Sequence, residues 1–321
     1  MTPNDLAPTS RTCRHLAHLD DYKAFPYLEG MKKHAVAAIE LLNRRRLVRS
    51  NFLTAYLGGS VQNRRKEVGD LASTEYLTPY PHHGAGTPER SYPRQFFRIY
   101  GKGLRADRAL KASGIEPIKH PDIGEQFWHQ MLIDDILMSI EIACKQHGFQ
   151  FKDQYEILGS KPLELPCHVS FTFPSTGLTH MSDKALCPDA LFAIGGTYVA
   201  LEADRGTEPI ERSNLNQTSY LRKFLQYAHA LKGGTYKTEW AIPNLMVLHL
   251  STRQERTEAL IAFMEALGAK SQSQCFKSVP SLASTAKSPK PLTSLLTDPY
   301  IRVGHPPYII GEEVNKIGRT S

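Results

Sequence analysis

Cysteine is scarce and odd in number: Cys13, Cys144, Cys167, Cys187 and Cys275 make five, none at CxxC spacing. That argues against both a disulfide framework and a zinc cluster, and it suits a reducing compartment. A run of about 18 apolar residues is missing, so no membrane span is expected. The opening stretch MTPNDLAPTSRTCRHLAHLDD has no apolar h-region, so no signal peptide is expected and a cytoplasmic location is. No internal repeat is present. What remains is an ordinary globular composition, on a chain whose 321 residues suffice for one large or two ordinary domains.

Charge is unevenly spread. Residues 1–115 hold 19 Lys and Arg against 10 Asp and Glu, a balance of +9 within a net charge of +7, so the rest of the chain sums to −2. The asymmetry points to a front part that holds a polyanion and a second part with another task.

In the front part, residues 31–43 read as a helix with Ala35, Val36, Ile39 and Leu42 on one side. Residues 47–57 read as a second helix, ended by Gly58-Gly59. Ser60 is placed to cap a third, VQNRRKEVGDLAS, whose apolar positions are Val61, Val68 and Leu71. A polar loop follows, TPYPHHGAGTPERSYP, then QFFRIY as a strand and GKGLRADRALK as a short helix. Three short helices, a loop and a strand is the order of a winged helix-turn-helix, here spanning 31–115, with 1–30 as a poorly ordered segment before it. Its third helix would enter a major groove and the basic loop would be the wing. Asn63, Arg64, Arg65 and Lys66 lie in the first two turns of that helix. Asn and Arg reach base edges, whereas Lys and most arginines hold phosphates. The competing reading of this run is a solvated helix face. His82-His83 has no partner at ligand spacing and reads as surface.

Residues 112–124, with two prolines and two glycines, read as a linker. The second part then runs 125–270, with a loop-rich tail over 271–321. It opens with a helix at 125–146. Residues 149–158 follow as a strand or loop bearing Glu156, then a strand at 168–173. A helix over about 211–231, a buried strand at 242–252 and an amphipathic helix come later. This alternation predicts α/β layers around a mixed sheet.

Within it, the stretch 187–208, CPDALFAIGGTYVALEADRGTE, reads as a hairpin turning at Gly195-Gly196, since both centres of a type I′ turn need φ > 0. Counting from that turn pairs Ile194 with Thr197, Phe192 with Val199 and Ala190 with Leu201 on an apolar face. It pairs Asp189 with Glu202 on the other, at a Cβ separation of about 4.5–5.5 Å. Two such carboxylates repel unless a cation or proton lies between them, and a hard divalent metal with oxygen ligands is the natural occupant. Asp204 shares that face if the strand continues, and Glu208 follows closely. The bland alternative is a solvated hairpin with charges on its wet side.

The order helix, Glu-bearing strand, Asp strand, Glu strand, helix, strand is similar to that of restriction-endonuclease-like PD-(D/E)xK cores. Pro188-Asp189 stands for the PD, and Glu202-Ala203-Asp204 for the (D/E)xK, with Asp204 where the lysine belongs. The fuller run PDALFAI…YVALEADRGTEPIE resembles the replication-relaxation family, which includes the MobC-type relaxases of mobilisable plasmids. The resemblance implies an α/β (α+β) chain: an N-terminal winged helix-turn-helix followed by a restriction-endonuclease-like α/β domain with a mixed central sheet. It identifies FWHQMLIDD, with His129, as the family's His-bearing helix. It implies Lys223, four residues before Tyr227, as the basic residue that replaces the missing strand lysine; Gln217, closer to the centre of the helix's apolar stripe, is the fallback.

The expected activity is metal-dependent nicking of double-stranded DNA at an origin-like site, in company with other mobilisation proteins. Asp189 and Glu202 would ligate Mg²⁺ or Mn²⁺, and Asp204 and Glu208 would complete the ligand set or act as base. The alternative is a non-catalytic DNA-binding regulator or relaxosome accessory with a degenerate nuclease fold. No HxH-like cluster is present, which disfavours a histidine-cluster relaxase with a nucleophilic Tyr. Whether the chain forms a homodimer is left open.

Overall fold

The structure, a computed structural model, describes residues 28–79, 98–120, 126–283, 288–312 and 314. The expected lead-in over 1–27, most of the basic wing (80–97, with His82-His83), part of the linker (121–125) and most of the end of the tail lie outside the described residues. The chain divides into two compact units, one running to Asp134 with Ser288, the other from Asp135 onward.

The first unit holds α1 (Lys33–Arg44), β1 (Val48–Arg49), α2 (Ser50–Leu57), α3 (Val61–Ser73), β2 (Leu77–Pro79), β3 (Ile99–Lys102), α4 (Leu104–Ala112) and the start of α5 (Phe127–His147). Its three strands form an antiparallel sheet in the order β1-β3-β2. Ala35, Ala38, Ile39 and Leu42 of α1 are buried, as are Phe52 and Leu53 of α2 and Val68 and Leu71 of α3. Removing each larger side chain from water contributes about 1.5–3 kcal/mol. Three local expectations need correction: the start of the second helix, the Ser60 cap and the apolar role of Val61. The second helix starts only at Ser50, because Val48 and Arg49 pair with Tyr100 and Ile99 as a strand. Ser60 occupies the cap position of α3 without a side-chain hydrogen bond, and Val61 is exposed. Gly103 is required by crowding: a Cβ there would lie 2.1 Å from the Glu75 carbonyl oxygen.

The second unit continues α5 and adds β4 (Phe151–Asp153), α6 (Gln154–Leu158), β5 (Val169–Thr172), β6 (Thr179–Ser182), β7 (Ala190–Ile194), β8 (Thr197–Asp204), α7 (Tyr220–Gly233), α8 (Thr235–Glu239), β9 (Met246–Ser251), α9 (Gln254–Ala266), β10 (Gln274–Ser278), β11 (Tyr300–Arg302) and β12 (His305–Tyr308). Seven strands make one mixed sheet, ordered β12-β11-β10-β9-β8-β7-β4, with β8, β9 and β10 parallel. β5 and β6 form a separate ribbon.

The hairpin register is the one the glycines imply: Ile194 pairs with Thr197, Phe192 with Val199 and Ala190 with Leu201. Gly195 and Gly196 have φ of +52° and +91°, the left-handed region a type I′ turn requires. Neither face of the hairpin is wet. Ala190, Phe192, Ile194, Val199 and Leu201 are buried on one side. On the other, Leu191 and Ala200 pack with Val247 of β9 and with Tyr227 and Ala230 of α7.

Elsewhere the second unit departs from expectation. Residues 271–321 are not simply a loop-rich tail, because β10, β11 and β12 complete the main sheet, with Cys275 and Phe276 fully buried. Strands this short, QCFKS, YIR and HPPY, carry too little periodicity to announce themselves. Glu156 is not on a strand: it closes a capping box with Asp153 at the start of α6. The helix expected over 211–231 begins only at Tyr220, where the Ser219 side chain accepts from the Arg222 amide. Among the described residues, no helix is long and apolar enough to cross a membrane, and Cys144, Cys167, Cys187 and Cys275 are free thiols.

Candidate functional site

The second unit's acidic residues converge where β7 begins and β8 ends, under α7. Asp189 precedes β7 by one residue. Its amide donates to the Leu201 carbonyl at 3.0 Å, and its Oδ2 accepts from the Ala203 amide at 2.7 Å. The carboxylate therefore crosses to the β8 backbone beside Glu202. Glu202 itself is completely buried. Its Oε1 accepts from the Tyr227 hydroxyl at 2.6 Å, and its Oε2 faces Lys223 Nζ at 2.8 Å. The same ammonium lies 2.9 Å from Glu208 Oε2. Lys223 thus bridges Glu202, on the strand, and Glu208, on the turn after it.

Burial pushes the Glu202 carboxyl up from its usual range, and the Asp189 charge adds to this against the opposing pull of Lys223. Burial pulls the other way on Lys223, but Glu202, Asp189 and Glu208 together hold its ammonium well above the usual lysine value. Burial, with Glu202 beside it, also drives the Tyr227 phenol well above its usual range, so it remains a donor.

Lys223 arrives here because α7 presents more than its aliphatic stripe. Counting Leu221, Phe224, Leu225, Ala228 and Leu231 leaves Lys223 outside, yet Ala228 is exposed while Tyr220 and Tyr227 are buried. Residues 220, 223 and 227 share a helical face, which sets the ammonium between the two tyrosines. Gln217 does not serve as a substitute. It precedes the helix, is exposed, and accepts from Arg212.

Asp204 does not join Glu202. Its Oδ1 accepts from the Gly206 amide at 2.7 Å and its Oδ2 pairs with Arg256 Nε of α9 at 2.7 Å. Both oxygens are engaged by Gly206 and Arg256, so Asp204 pairs with a different cation from the Lys223 that Glu202 and Glu208 share. Arg256 also donates to the Glu208 carbonyl. Its guanidinium lies 5.0 Å from the centre of the Tyr220 ring, and Lys223 Nζ lies 5.4 Å from the same ring. Arg256 was missed in the sequence. Its available signal was position: it opens a helix just after β9, at the carboxyl ends of two parallel strands, where α/β sheets gather polar groups.

Beside Glu202 in the sheet stand His249 and Phe276. His249 is ringed by Tyr220, Phe224, Tyr227 and Phe276. Burial pulls its pKa down to about 3, so it is neutral and donates no charge to the site.

Carboxylates outnumber ammonium groups around Lys223. Three carboxylates act on the one Lys223 ammonium. Glu208 Oε1 is buried with no hydrogen-bond donor among the described residues, and the Lys223–Glu202 contact is an ion pair rather than an aligned hydrogen bond. Excess negative charge on oxygen ligands fits a hard cation in chemistry. Among the described residues, however, no three His, Cys, Asp or Glu side chains are grouped as a ligand set.

In the first unit, Asn63, Arg65 and Lys66 are exposed on α3, while Arg64 is half-buried and ion-paired with Glu67 one turn on. His129 lies on α5 in that unit. Compared with known proteins, the chain matches no family model, no curated protein and no solved structure.

Proposed function

We propose that this chain binds duplex DNA through its first unit and nicks a DNA strand at the Glu202–Lys223 centre of its second, as a protein of the replication-relaxation and MobC-type mobilisation kind. One observation carries the reading: a lysine from the helix after the hairpin reaches the acid strand, 2.8 Å from Glu202. It supplies the charge that Asp204 cannot. The helix-strand-helix-helix-strand-strand order of the first unit supports a winged helix-turn-helix there, with α3 as the recognition helix. The antiparallel β7–β8 hairpin, followed by parallel β9, supports a restriction-endonuclease-like core.

In this reading Asp189 and Glu202 would hold Mg²⁺ or Mn²⁺, which when bound supplies an acidified water and charge neutralisation at phosphate. The chain's own residues do the remainder. Tyr227 fixes one oxygen of Glu202, Ala203 fixes one oxygen of Asp189, and Lys223 offers a partly buried positive charge where a phosphate oxygen would gain negative charge. Nicking of supercoiled plasmid with Mg²⁺ or Mn²⁺ tests the assignment, comparing wild type with Asp189→Asn and Glu202→Gln. Loss of nicking in both variants, with folding intact, supports it. Equal activity in all three proteins sinks it.

A second reading has its own support. Because Lys223 already balances Glu202 and Glu208, the carboxylates also suit a structural role in a non-catalytic DNA-binding regulator. Calorimetric titration with Mn²⁺ separates the two, since no heat of binding favours the regulator.

A further inference from the structure

Asp204, Arg256 and the turn from Arg205 to Glu208 form one clamp. The Asp204 carboxylate folds the turn by accepting from the Gly206 amide, where φ is +79°. It also orients the Arg256 guanidinium, which donates through Nε to Asp204 and through Nη2 to the Glu208 carbonyl. An arginine can serve both acceptors at once because its donors diverge in a rigid plane. The backbone of Glu208 is thereby pinned, and its side chain delivers Oε2 to Lys223 Nζ. Arg256 and Lys223 further share the buried Tyr220 ring.

We propose that Arg256 is a positioning residue for the Lys223 centre. By pinning the Glu208 backbone it fixes the second carboxylate on the ammonium, and so sets where that charge stands relative to Glu202. It touches no reacting atom and acts through Glu208. The inference deepens the nicking reading and rests on it for its purpose, but the geometry is tested without any nicking.

The experiment measures acylation of individual lysines by acetic anhydride, read by peptide mass spectrometry, on full-length protein. Lys232, exposed on the same helix, is the internal reference. In wild type, Lys223 is held by two carboxylates and reacts slowly. Arg256→Gln is expected to raise its rate relative to Lys232 by about tenfold, as one of the two ion pairs on the ammonium is loosened. Glu208→Ala is expected to raise it similarly. Since Arg256 acts through Glu208, the double variant should rise no further than either single. Should Arg256→Gln fail to fold, Asp204→Asn loosens the same clamp from its other end while keeping an acceptor for Gly206, and should raise the rate in the same direction. Wild-type protection of Lys223 in the folded variant overturns the proposal, as does a double variant whose effect is the product of the singles. In the plasmid assay, Arg256→Gln should lower kcat and leave DNA affinity unchanged. Absence of nicking by wild type would instead count against the nuclease reading, with the acylation result standing apart from it.

Discussion

Lys223 Nζ lies 2.8 Å from Glu202 Oε2, and Glu202 has no exposure to solvent. Removing one partner of such a buried pair leaves the other charge uncompensated, at a cost of about 3–5 kcal/mol. Lys223→Met is expected to lose that much in urea unfolding followed by circular dichroism. Adding Glu202→Gln should restore part of the loss, because the buried charge is gone and the amide oxygen still accepts from Tyr227. Equal losses in the single and double variants would show that the buried charge is not the cause.

Tyr227 offers a narrower test. Its hydroxyl donates to Glu202 at 2.6 Å, and both groups are buried. Tyr227→Phe keeps the ring against Leu191 and Ala200 and deletes only the donor. Hydrogen bonds to charged groups contribute about 1.5–3 kcal/mol, so a loss in that range is expected from the shift of the denaturation midpoint. A loss below about 0.5 kcal/mol would mean that another donor replaces it.

The parts of this site that rest on local geometry were legible in the sequence. Gly195-Gly196 dictates a turn, the turn dictates the register, and the register puts Asp189 and Glu202 beside one another without reference to the rest of the chain. Lys223 was reachable only through the family resemblance, because an aliphatic stripe omits Tyr220 and Tyr227. The pairing of Asp204 with Arg256 is hidden from the sequence for a related reason. Period-two counting gives a side chain's face but not the cation it meets, and Arg256 comes from 52 residues further on. Strands β10 to β12 were hidden for another reason: they extend the sheet outward from β9, each pairing with the strand before it, and that pairing supplies the order that their own composition does not.

Asp134 in the first unit provides a pH test. Burial pushes its carboxyl up to about 6 from 3.8, opposed by Arg45, by Gln130 and the Leu47 amide, and by Arg46. A carboxyl whose folded pKa is raised binds its proton more tightly in the folded state. Its contribution is therefore present below about pH 4 and is lost as pH rises through about 6, a difference near 3 kcal/mol. Asp134→Asn removes the titration and retains an oxygen for Leu47 N and Gln130 Nε2, which both reach the same carboxylate oxygen. Urea midpoints measured from pH 4 to pH 7 should show the variant gaining on wild type as pH rises. A flat difference would mean that the carboxyl titrates normally, and one that runs the other way would mean that its folded pKa is depressed.

On α3 the exposed basic residues are not equivalent to the paired one. Arg65 and Lys66 present their charges to solvent, whereas Arg64 is already held by Glu67. If this helix meets duplex DNA, each lysine or arginine on a phosphate adds about 0.9 to the slope of log affinity against log salt. Arg65→Ala with Lys66→Ala is expected to flatten that slope by about two and to weaken binding most at low salt, as measured by fluorescence anisotropy on a duplex. Arg64→Ala should do less. Glu67→Gln should tighten binding, because it frees the Arg64 guanidinium and removes a negative charge from the same face. An unchanged slope in the double variant would place the duplex on another surface and remove α3 from the recognition role.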